Sequence, residues 1–226
     1  MALSGTYGFE LDIGGLIEEA FELAGLGESY TGYDYATARR SLNLILSDWV
    51  NRGINLWTLS LVTQALVVGQ SSYTLASYRV DILDAVKRDS SGNDIPLERI
   101  SLQTYLKGRT DKTASGSPAE FTLQRNSQGG HTLHTYPTPN ATDSIVYWAM
   151  SYPQDISATG GSQTVDVPRR FLPALTRGLA YELALKKGKD AERLSILKNE
   201  YETTLLRAME EDRERTSLFL VPGYRI

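Results

Sequence analysis

Apolar residues in this 226-residue chain repeat with one period at both ends and another in the middle. Ile13, Leu16, Ile17, Ala20, Phe21 and Ala24 recur at helical spacing, and Gly25 stands where that helix would stop. After a Gly/Tyr-rich turn, Leu42, Ile45, Leu46, Trp49 and Val50 form a second stripe ending at Gly53. Arg39, Arg40, Asn43 and Asp48 lie off that stripe. The two segments read as an antiparallel helical hairpin.

From Leu59 to Tyr152 the pattern changes. The runs SLVTQALVV, SYTL, VDILDAVKR and SIVYWAMSY are rich in β-branched and aromatic residues. Turn chemistry punctuates them at Gly69–Ser72, Asp89–Asp94, Ser115–Pro118 and Gln128–Gly130. This spacing suits a meandering antiparallel sheet, interrupted by one short helix over Leu102–Lys107. Gly160-Gly161-Ser162 marks the return to helix.

Asp166 and Pro168 suit a helix start, followed by the stripe Leu172, Leu175, Leu179 and Leu183 before Gly188. Asp190 is placed to cap a last helix carrying Leu194, Leu197, Tyr201, Leu205 and Ala208, with charges opposite, running on to Arg215. The expected fold is therefore α+β. A helical-bundle body (residues 1–58 and 160–216) holds an inserted antiparallel β-rich module (59–159), and a C-terminal docking tail follows (217–226). The tail carries Leu218, Phe219, Leu220, Val221, Tyr224 and Ile226, so it packs back on its own core or docks on another chain.

Charge and composition narrow the function. Lys and Arg total 23 against 27 acids, a net charge of -4, which is not the footprint of a DNA-binding or membrane-surface protein. Residues 1–30 hold six of those acids and no Lys or Arg. An opening helix of that kind lines a channel, meets a basic partner or faces water. There is no cysteine, so no disulfide, thiolate nucleophile or cysteine-held metal is expected. No secretory leader stands at the start. The long uncharged stretch Gly53–Tyr78 is too polar to span a bilayer, so a soluble chain with no membrane anchor is expected.

Chemistry-bearing motifs are missing from the sequence. It has no phosphate-binding loop, no GxGxxG, no HExxH and no GxSxG. His131 and His134, three apart on one strand, would point to opposite faces, so no metal site is expected. The Asp89–Asp94 segment has Ile100 where a calcium loop needs its last glutamate, and reads as a hairpin turn. The acid pairs Glu18/Glu22, Glu192/Glu200 and Glu210/Glu214 read as solvated helix faces. No catalytic residue and no cofactor are expected. An assembly component fits this profile better than an enzyme.

Four ordered stretches carry a resemblance. They are Leu46–Trp57 (LSDWVNRGINLW), Val67–Leu75 (VVGQSSYTL, similar to a GQ-x-x-Y-x-L hairpin), the strand run from Asp94 through Gly116-Ser117-Pro118 to Pro139, and the helix pair Leu175–Ala184 and Leu197–Arg215. Together they resemble the head-to-tail adaptor proteins of tailed bacteriophages, especially the tail accessory factor and tail tubular protein A families of short-tailed phages.

That resemblance implies a structural virion protein at the head–tail junction, assembled in the host cytoplasm. It implies a dodecameric ring that joins the portal protein to the tail nozzle or other tail proteins and lets double-stranded DNA pass without specific binding. Under it, Leu218, Phe219, Leu220, Pro222 and Tyr224 are the portal-binding anchors, and Glu18, Glu19 and Glu22 are channel-lining candidates. Tail contacts would come from turns near Asp89–Asp94 or Gly129–Gly130. The alternatives are a tail-tube or stopper component, or an adaptor that also hydrolyses peptidoglycan, although no motif here carries that activity.

Overall fold

The computed structural model describes residues 9–27, 31–54, 56–127, 130–157 and 162–212. The helices are α1 (Ile13–Leu23), α2 (Gly32–Asn51), α3 (Leu102–Gly108), α4 (Leu172–Lys186) and α5 (Ala191–Glu211). The strands are β1 (Ser60–Ala65), β2 (Ser72–Thr74), β3 (Arg79–Arg88), β4 (Asp94–Pro96), β5 (Glu98–Arg99), β6 (Ser115–Gly116), β7 (Glu120–Gln124), β8 (Thr132–Tyr136), β9 (Thr138–Pro139) and β10 (Ser144–Ser151). The fold is α+β, as the change of period requires. It divides into a helical unit, drawn from Met1–Asp48 and Gln154–Ile226, and a β unit, Trp49–Pro153.

In the helical unit, α1 starts because the Asp12 carboxylate accepts the Gly15 N–H at 2.7 Å, tying down a free donor of the first turn. It ends at Gly25, whose φ of 67° is the left-handed conformation that lets the chain leave the helix. Ile13, Leu16, Ile17, Ala20 and Phe21 form its buried face. α1 packs on α4, and α4 on α5. The apolar stripe of α2 is buried too, at Ala38, Leu42, Ile45, Leu46, Trp49 and Val50. The apolar stripe of α4 is the wider surface: Leu172, Ala174, Leu175, Leu179, Ala180, Leu183 and Ala184 are all buried.

The fourth helix starts later than expected, at Leu172, because a 3-10 turn over Arg169–Phe171 comes first. Asp190 caps α5, its carboxylate accepting the Arg193 N–H at 3.1 Å. Cations close the other ends: Lys189 Nζ donates to the Gly25 carbonyl at 2.7 Å, and Arg193 donates to the Leu23 carbonyl, both at the carbonyl end of α1. Asn43 of α2 bonds both backbone groups of Ile156, which explains its position off the apolar stripe.

The β unit is a sandwich of two four-stranded sheets in the orders β1-β10-β3-β4 and β2-β8-β7-β5. A two-residue parallel pair, β6 with β9, stands beside them. This differs from the expected meander. β10 returns from far along the chain to sit between β1 and β3, and β5 pairs parallel to β7. Val67–Leu75 is likewise not a hairpin, because β1 and β2 belong to different sheets. Instead, the Tyr73 hydroxyl donates to the Gln70 carbonyl and accepts the Val67 N–H, bracing the crossover.

Alternation along each strand sorts side chains between faces. Ile82, Ala85, Ile145, Tyr147 and Ala149 point inward from the first sheet and meet Tyr73, Phe121, Leu123 and Leu133 from the second. Lys87 enters the same interior, with its ammonium 3.3 Å from Asp143 and 2.6 Å from the Ser117 hydroxyl. The carboxylate and the hydroxyl together make that burial tolerable.

Candidate assembly surfaces

Glu18, Glu19 and Glu22 are all exposed, on the side of α1 away from its buried stripe. The anchors named in the tail, Leu218, Phe219, Leu220, Pro222 and Tyr224, lie outside the described residues, as does Gly129.

The Asp89–Asp94 segment is the β3–β4 hairpin turn. The Asp89 carboxylate accepts the N–H groups of Ser91 and Asn93, each at 2.9 Å, and the Asn93 side chain at 3.0 Å. These bonds, the Asn93 side chain first, hold its pKa below the usual carboxylate value. The two histidines have separate partners. His131 Nδ1 accepts the Asn126 N–H at 3.1 Å, whereas His134 sits 3.1 Å from Gln124 and stacks on Tyr105 at 5.3 Å. Burial pushes the His134 pKa down. Among the described residues, no three His, Asp or Glu side chains gather as metal ligands.

A hollow of about 420 Å³ beside α1 is walled by Ile13, Gln154, Asp155 and the segment Ser162–Asp166. The Asp166 carboxylate there accepts the Gln154 N–H at 3.0 Å. Its contacts are those of a loop brace.

Two apolar surfaces of the β unit escaped the sequence reading. On the outer face of the first sheet, Leu61 of β1 pairs directly with Trp148 of β10, and both are half-exposed. Leu83 lies beside them where β3 bulges against β10. On the second sheet, α3 lies over the outer face, held by the Tyr105–His134 stack and the Arg109–Glu120 ion pair. Leu102 and Leu106, four residues apart on α3, are exposed. A signal for the first surface was present: SLVTQALVV and SIVYWAMSY carry apolar residues at both parities, so each strand must show apolar side chains on both faces.

Large apolar side chains are displayed on both outer faces of the sandwich, a feature found on surfaces that contact other proteins. The SU10 adaptor protein family matches residues 11–223, and the chain belongs to that family of structural bacteriophage adaptors. The expected head-to-tail adaptor resemblance is borne out. No curated protein matches the chain in sequence. No described helix is long and apolar enough to cross a membrane.

Proposed function

We propose that the protein forms the ring that joins the portal to the tail and continues the DNA channel. The family match over residues 11–223 is the observation that carries this reading. Glu18, Glu19 and Glu22 support the channel role. An acidic wall releases no counterions from DNA, so duplex passing it slides and is not held. The apolar run Leu218–Val221, with Pro222 and Tyr224, supplies the portal anchor, since apolar and aromatic groups at an interface centre contribute most of the binding energy.

In this reading the function is mechanical and no bond is made or broken by the chain. It assembles in the host cytoplasm, takes its place in the virion at the head–tail junction, and meets the tail through turns such as Asp89–Asp94. Purified protein mixed with the portal of the same virus should bind it as a complete ring. A protein that ignores the portal and joins only tail proteins would be a tail-tube or stopper component. Turnover of peptidoglycan, lost on substitution of a single Glu or Asp, would establish the hydrolase reading instead.

A further inference from the structure

The β unit carries two unlike apolar surfaces on its two outer faces. The first lies on a sheet: Leu61, Trp148 and Leu83 are 57%, 47% and 38% exposed across three neighbouring strands. Both β1 and β3 flank β10, so Trp148 has an apolar neighbour on each side. The second is a ridge on a helix. Leu102 and Leu106 are 45% and 66% exposed and stand one helical turn apart on α3. The two inner faces are consumed by the shared core, so these surfaces point away from each other. Exposed Asp84 borders the first and exposed Lys107 borders the second, a pair of opposite sign.

Pairing the sheet face with its own copy would leave the helix ridge exposed, whereas pairing the sheet face with the ridge covers both. Two different surfaces on opposite sides of one body favour head-to-tail contact between copies, which repeats and closes into a ring where the rotation allows. We propose that the Leu61–Trp148–Leu83 face of one copy receives the Leu102–Leu106 ridge of the next, with Asp84 meeting Lys107 across the rim. This contact rests on the ring reading above and names the surfaces that would build it. Trp148 is its centre, because a half-exposed tryptophan flanked by leucines is the residue type that dominates binding when desolvated.

The absence of cysteine makes the test clean. Leu61→Cys protein and Leu106→Cys protein are mixed, assembled on the portal ring and treated with a short bis-maleimide. The mixture should yield cross-linked dimers and neither protein alone should, while the double variant should yield a ladder of multimers. Trp148→Glu should weaken assembly by about thirtyfold or more. If Trp148→Glu misfolds by circular dichroism, Asp84→Lys and Lys107→Asp serve in its place, each weakening assembly and the pair restoring it. Fully assembled particles that give no dimer in the mixture overturn the contact and leave the ring intact. Failure of the unmodified chain to assemble on the portal overturns the ring reading and this contact together.

Discussion

Gly178 of α4 lies directly beneath the ring of Tyr201 on α5. A β-carbon at position 178 would come within 2.9 Å of Tyr201 Cε2, closer than real β-carbons approach, and 3.1 Å from Cδ2. Glycine is therefore what allows these two helices their close approach, although it weakens α4 as a helix. Gly178→Ala should lower stability by about 1–2 kcal/mol, overpacking outweighing the gain in helix propensity. Thermal or urea unfolding checks this. With Tyr201→Leu also present, the alanine should cost nothing or stabilise, because the clash has been removed.

Lys187 Nζ lies 2.5 Å from Asp34 Oδ1 and links the end of α4 to the start of α2. That hydrogen bond, with those from Thr31, holds the Asp34 pKa at about 2 instead of the ordinary 3.8. Because the folded value is the lower one, the stabilisation is complete above pH 3.8 and is lost as pH falls through 2. Asp34→Asn should flatten the fall in melting temperature across that window. An unchanged acid limb would show that the contact contributes nothing.

Lys87 is buried in the sandwich with Asp143 as its counter-charge. Asp143→Ala leaves an ammonium without its partner and should destabilise by about 3–5 kcal/mol. Replacing both, as Lys87→Met with Asp143→Leu, should recover much of the loss. Chemical denaturation of the three variants distinguishes the buried pair from two independent residues.

Charge reversal on α1 tests the channel. Glu18, Glu19 and Glu22 are all exposed, and replacing them together by Lys reverses the charge of this face, with the fold checked by circular dichroism. The reversal should slow DNA ejection, and added salt should relieve the delay, because the new contacts are electrostatic. Unchanged ejection kinetics at low salt would place these residues away from the DNA.

Local structure was legible in the sequence wherever its cause is local. Asp190 caps α5 as expected because a cap needs only the three residues after it, and Gly25 ends α1 for a similar reason. The buried face of α1 follows from its spacing alone. Pairing between distant strands was not legible. Nothing near Ser144–Ser151 records that it would lie between Ser60–Ala65 and Arg79–Arg88, since the patterns of all three admit several neighbours. The same limit hid the outer apolar face, because Leu61 and Trp148 become neighbours only through that pairing. The acidic row of α1 was visible as composition, and the structure adds only that its members are exposed.

Truncation after Thr216 separates folding from docking. The shortened chain should keep its melting temperature and lose portal binding, as measured by sedimentation with the portal ring. Normal binding by the shortened chain would move the anchor elsewhere.

The adaptor role is tested most directly by native mass of the portal ring before and after mixing with the full chain. The account predicts one discrete increase equal to about twelve copies, with no partial rings persisting when protein is in excess. No increase, from protein confirmed intact through Ile226, would contradict it.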